Sequence, residues 1–144
     1  MTAEFNNNFS ISTDKSKLDL AVIHNFLSRT YWAENIPLAT VQKSIENSLC
    51  FGVYEGCNQV GFARVITDYA TFAYFSDVFI LEEYRGLGLA KWLIASILEH
   101  PDLQGLRRWL LVTADAQDFY RKFGFQELEN SGCMTILKSN IYNQ

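Results

Sequence analysis

The sequence predicts an α/β domain built on a mixed sheet, in the order β-α-α-β-β-β-α-β-α-β-β, and three observations carry that expectation. A length of 144 residues suits one domain over residues 1–144, large enough to bury a core. Alternating apolar and β-branched residues dominate the middle of the chain, with helical spacing on either side. The run Arg85-Gly86-Leu87-Gly88-Leu89-Ala90 joins an apolar strand directly to an apolar helix, as a parallel crossover requires.

Each element has a local reason. Residues 9–13 alternate like a short first strand, and Asp14 is placed to cap a helix through about Ser28. Pro37 suits the opening of a second helix, to about Asn47. Strands over 49–54 and 59–66 flank Glu55-Gly56-Cys57-Asn58, a hairpin turn. The aromatic strand 71–80 follows; strict alternation puts Ser76, Val78 and Ile80 on one face and Phe75, Asp77 and Phe79 on the other. A helix runs from about Gly86 to Glu99, with Leu89, Leu93 and Ile97 in one stripe and Pro101 ending it. Residues 109–113 read as a buried strand. Asp115 then caps a short helix to Phe123, closed by Gly124. Residues 125–128 and 133–138 read as final strands around Asn130-Ser131-Gly132.

Composition narrows the function classes. Hydrophobic residues make up 49% and charged residues 19%, a globular balance. A net charge of −4 argues against a nucleic-acid partner held by general electrostatics, so any phosphate is held by local geometry. No stretch has the apolar length of a membrane span, and the first residues, with Glu4 and Asn6 to Asn8, lack a signal-peptide pattern. Cys50, Cys57 and Cys133 are odd in number and, like His24 and His100, have no metal-ligand spacing. These features imply no metal, no membrane and a reducing, cytoplasmic setting.

The glycine turn carries the chemistry. Bare N–H groups at a helix N-terminus attract a phosphate, and Gly86 and Gly88 let a ligand approach the main chain. The spacing decides which ligand. A nucleotide-triphosphate loop needs Gly-x-x-x-x-Gly-Lys-Ser/Thr, which is absent. A dinucleotide fingerprint needs a third glycine where Lys91 stands. What remains is Arg/Gln-x-x-Gly-x-Gly/Ala, with Arg85, Gly88 and Ala90 in place. A second run, Ala116-Gln-Asp-Phe-Tyr-Arg-Lys-Phe-Gly-Phe125, fits Ala-x-x-aromatic-Tyr-x-x-x-Gly-Phe after the next strand. Both motifs, in this order, resemble those of GNAT-type, acetyl-CoA-dependent N-acetyltransferases, whose element order the chain also follows.

The resemblance implies roles. Arg85, Gly86, Leu87, Gly88, Leu89, Ala90 and Lys91 would hold the CoA pyrophosphate; Arg85 and Lys91 could equally be solvated cations. The end of the strand, Val78, Phe79 and Ile80, would splay from its neighbour and offer main-chain groups to pantetheine and the thioester carbonyl. Thr113 stands where many members carry an asparagine contacting CoA. Tyr120 would protonate the departing thiolate, or else only pack against the pantetheine arm. Asp77, a carboxylate on an otherwise apolar face, would serve as base or charge partner for an incoming amine. The alternative is neutralisation by Arg64. Tyr31 and Trp32 would wall the acceptor cleft. The expected activity is acetyl transfer to a primary amine, on a small molecule or peptide; a silent acyl-CoA-binding module is the alternative. A homodimer is an expectation by analogy alone.

Overall fold

Residues 8–129 and 132–143 are described by the computed structural model. Phe9–Ser12 forms β1, and two aspartates then shape the first helical stretch. Asp14 caps only a single 3-10 turn, by accepting from the Ser16 N–H at 2.9 Å. Asp19 caps the helix itself, α1 over Leu20–Leu27, through the Val22 N–H. The helix expected from Asp14 therefore starts at Leu20. Pro37 precedes α2, Leu38–Glu46, and its fixed φ of −66° leads into the first turn.

Three strands follow: β2 (Leu49–Glu55), β3 (Asn58–Thr67) and β4 (Phe72–Ile80). Helix α3 (Leu89–Leu98) crosses over to β5 (Arg108–Leu111), and α4 covers Gln117–Arg121. The sheet order is β1-β2-β3-β4-β5, antiparallel except for the parallel β4–β5 pair. The mixed α/β sheet expected from the sequence is thus formed.

Two separate cores flank the sheet. On one face Leu89, Leu93, Ile94 and Ile97 of α3 pack against Phe51, Val53 and Phe75, with Phe119 and Tyr120 of α4 at the margin. On the other, Ile23 and Leu27 of α1 meet Val41 and Ile45 of α2 over Cys50, Phe62 and Phe79. Burying each such side chain contributes roughly 2 kcal/mol, so the helices are fixed by packing rather than by their short lengths.

Several expectations change. The α3 helix begins three residues later than Gly86, because Gly86 and Gly88 are both left-handed, at φ +83° and +84°. Asp115 does not cap α4; the Thr113 hydroxyl accepts the Ala116 N–H instead, at 3.1 Å. The two final strands are not formed. Residues 125–129 and 132–138 run as irregular chain, and Met134, Ile136 and Leu137 lie exposed rather than paired with a neighbour. Alternation alone makes no strand without a partner edge. Asn130 and Ser131, like residues 1–7, lie outside the described residues.

Candidate active site

The glycine turn emerges from the end of β4 through a 3-10 turn at Glu82–Tyr84. Arg85 folds back, its Nε donating to the Ile80 carbonyl at 3.1 Å, so this side chain braces the turn. Gly88 is the left-handed N-cap of α3 and supplies no side-chain acceptor. The first N–H to reach back is that of Trp92, to the Gly88 carbonyl. The N–H groups of residues 86–91 thus have no protein acceptor among the described residues. A Cβ built on Gly86 would meet nothing within 4 Å, so the space over the turn is open. Leu87 and Lys91 are exposed beside it, whereas Leu89 turns inward to the core and Ala90 is half-buried.

The strand leading to that turn is open on one edge. β4 pairs with β3 as far as Ile80, but with β5 only as far as Phe75, opposite Leu111. Beyond that point Val78 and Ile80 turn main-chain groups to the edge that β5 has left, the Ile80 carbonyl being taken by Arg85 Nε, whereas Phe79, in step with the Leu81 N–H that bonds the Val60 carbonyl, turns its main-chain groups to β3. Unpaired strand groups of this kind are donors and acceptors awaiting a ligand. Where the pairing stops, Tyr120 packs edge-on against Phe75, with ring centroids 6.4 Å apart. Its ring also meets Phe119 and Phe125. Burial among these rings pushes the phenol up to about 12.

A bulge creates the third part of the site. Ala63 pairs with Val78 and Val65 with Phe75, so Arg64 alone faces both Ser76 and Asp77. This corrects the strict alternation expected for β4. Phe75 packs with Ile80 on the α3 side, while Asp77 turns with Phe79 toward α1. Arg64 donates from Nε to Asp77 Oδ2 and from its guanidinium to Ser76 Oγ, both at 2.8 Å, and reaches Ser48 Oγ at 3.2 Å. Trp32 Nε1 donates to Asp77 Oδ1 at 3.0 Å. Both oxygens of this buried carboxylate are therefore engaged, and it is held as an oriented acceptor. Tyr31 stands edge-on to Trp32, and both rings are exposed.

The structure thus unites Tyr31, Trp32 and Asp77 on the α1 side, and Val78 to Ile80 with residues 85–91 along one continuous path. Thr113 and Tyr120 lie together on a cavity of about 320 Å³ at the outer edge of β5, which the glycine turn does not line. Arg121, a cation near the site, pairs with Asp118 and Glu127. Ser48 and Ser76 escaped sequence reasoning; an adjacent Ser-Asp pair inside an apolar strand was the available sign of a bulge. Among the described residues, no group of three or more His, Cys, Asp or Glu side chains is placed to hold a metal.

Residues 46–127 match the sequence profile of the acetyltransferase (GNAT) domain. A candidate acetyltransferase of Gibberella zeae is 33% identical over 137 residues, covering 79% of this chain and 76% of its own. The chain belongs to the GNAT acetyltransferase family. Among solved GNAT structures, a candidate acetyltransferase from Xanthomonas campestris is 48% identical, with a TM-score of 0.92 over 94% of this chain and 97% of its own. A GNAT acetyltransferase from Elizabethkingia anophelis, solved with acetyl-CoA bound, shares the fold at a TM-score of 0.65 and 8% identity, over 86% of this chain and 80% of its own. In this GNAT chain the open turn, the unsatisfied N–H groups and the unpaired β4 edge fit a pyrophosphate followed by an amide-bearing arm. Thr113 can still donate its hydroxyl proton, although one lone pair is committed to Ala116.

Proposed function

We propose that this protein, acting as one domain, transfers the acetyl group of acetyl-CoA to a primary amine by direct attack in a ternary complex. The observation that carries the reading is the junction of an unpaired β4 edge with a glycine turn whose N–H groups lack acceptors. The turn binds the pyrophosphate through main-chain N–H groups, and the β4 edge bonds the amides of the arm. A main-chain N–H of Val78 or Ile80 aimed at the thioester oxygen would stabilise the oxyanion by about 3 kcal/mol.

The amine nitrogen attacks the carbonyl carbon, the C–S bond breaks, and the amine proton leaves through Asp77 or water. Tyr120 donates to the departing sulfur. A phenol raised to about 12 is protonated at neutral pH, so the donor is always present. Against a thiol near ~8.5, it stabilises the developing thiolate by hydrogen bonding before any proton moves. Asp77, aligned by Arg64 and Trp32, receives the acceptor's N–H groups, and the Tyr31–Trp32 pair forms an aromatic wall suited to a cationic amine on a small molecule or peptide.

A screen of thiol release from acetyl-CoA against a broad amine panel tests this reading. At least one amine should accelerate release and gain an acetyl group. Thermal stabilisation by acetyl-CoA with no amine-dependent release would identify a binding module instead.

A further inference from the structure

The acceptor end of the site carries more polar capacity than Asp77 alone. On β3, Phe62, Arg64 and Ile66 point to the α1 side of the sheet. Their exposure climbs in that order, from 0% for Phe62 through 15% for the Arg64 side chain to 43% for Ile66. The Arg64–Asp77 cluster thus sits where the cover of α1 and α2 ends, next to the exposed Tyr31 and Trp32.

Arg64 commits its Nε–H to Asp77, and its terminal nitrogens donate to Ser48 and Ser76. Each terminal nitrogen keeps a second N–H with no acceptor among the described residues. The Ser76 hydroxyl accepts from Arg64 and keeps its own proton to donate. Ser48 has none to offer, because its proton goes to a main-chain carbonyl of α2. Asp77 accepts one bond on each oxygen and keeps a lone pair on each. The cluster can therefore take an anion on its Arg64–Ser76 side and an ammonium on its Asp77 side. These sides adjoin, with Arg64 Nε and Asp77 Oδ2 2.8 Å apart, so the ligand's charges must adjoin too.

Charge decides between ligands. Arg64 already matches the Asp77 charge, so a simple monocation bound here leaves a positive charge uncompensated in a partly buried place. A ligand with its own carboxylate beside the amine brings no net charge. We infer that the acceptor is a free α-amino acid, its carboxylate on the Arg64 and Ser76 donors and its amine on Asp77 beside Val78. An apolar or aromatic side chain lies along Tyr31 and Trp32. This rests on the transfer reading above and names its substrate class. The bond changes are the same: N–C forms, C–S breaks, one amine proton leaves through Asp77 or water, and the carboxylate passes unchanged into an N-acetylamino acid.

Thiol-release kinetics with phenylalanine, leucine and tryptophan, each beside its amide and its decarboxylated amine, test the inference. In the wild-type protein kcat/KM should favour each preferred acid over both analogues by about tenfold or more. The amide carries the less basic amine and so more free nucleophile at neutral pH, which works against that preference. Arg64→Lys keeps a charge for Asp77 but loses the spare N–H groups, and Ser76→Ala removes one donor; each should lower the acid-to-amide ratio, mainly through KM. A purely structural role would lower all three substrates alike. Equal use of acid and amide, or a ratio that survives both variants, would overturn the inference. Release driven by other amines but by none of the acids would overturn it and leave the transfer reading standing, whereas release with no amine at all would overturn both.

Discussion

Trp32 Nε1 donates to Asp77 Oδ1 at 3.0 Å and so ties the loop after α1 to the bulge in the central strand. One bond sets both the orientation of the carboxylate and the position of the aromatic wall. Trp32→Phe keeps a ring and removes the donor. It should cost about 1 kcal/mol of stability and raise KM for the amine while leaving KM for acetyl-CoA unchanged. Steady-state kinetics with each substrate varied, alongside denaturant unfolding, checks both parts.

In the Arg64–Asp77 ion pair the carboxylate is buried and the guanidinium partly so, at 7% and 15% side-chain exposure. Removing one partner strands a charge in the interior. Arg64→Met should therefore destabilise the fold by about 3 kcal/mol, and Arg64→Met with Asp77→Asn should recover part of that loss. A double-mutant cycle by chemical denaturation measures the coupling. Additive losses would mean that the pair is not formed.

Gly86 separates binding from folding. A Cβ there meets no protein atom, so Gly86→Ala costs only the left-handed backbone penalty, about 1 kcal/mol. The same Cβ projects into the space assigned to pyrophosphate. Titration calorimetry should show acetyl-CoA affinity falling more than tenfold, beyond what the stability change explains.

Tyr120 gives a pH signature. Its folded-state value of about 12 lies above the ordinary phenol value of 10, so the neutral form is favoured in the folded protein. The resulting stability is complete below pH 10 and is lost as pH rises through about 12. Tyr120→Phe should remove this part of the alkaline loss and also lower kcat. Melting curves across that range follow the first effect and turnover the second. Full turnover in Tyr120→Phe would dismiss its role toward the sulfur.

Burial pushes the Cys50 thiol up to about 11, whereas Cys57 and Cys133 are exposed. A thiol reagent should label Cys57 and Cys133 promptly in the native state and Cys50 only on unfolding. Peptide mapping after timed labelling distinguishes them.

What the sequence revealed follows from which forces are local. The turn at residues 85–90 was legible because glycine spacing is a backbone requirement, and the two left-handed angles bear it out. Pro37 and the hairpin at Gly56 and Cys57 were legible for the same reason. The bulge at Ser76 and Asp77 was not, since it depends on how Arg64 pairs across the sheet. Asp14 and Asp19 illustrate a related limit. Both are good caps, and only packing of Ile23 and Leu27 decides which one begins a helix. The last two strands failed because strand pattern in residues 125–128 and 133–138 cannot supply a partner.

The proposed reaction is direct acetyl transfer to an amine at the β4 edge. Its most direct test measures free thiol and N-acetyl product together, with acetyl-CoA and a responsive amine. One amide should form for each thiol, with negligible release without amine and no acetyl group left on the protein. Equal thiol release with and without amine, or acetyl accumulation on a side chain, would contradict it.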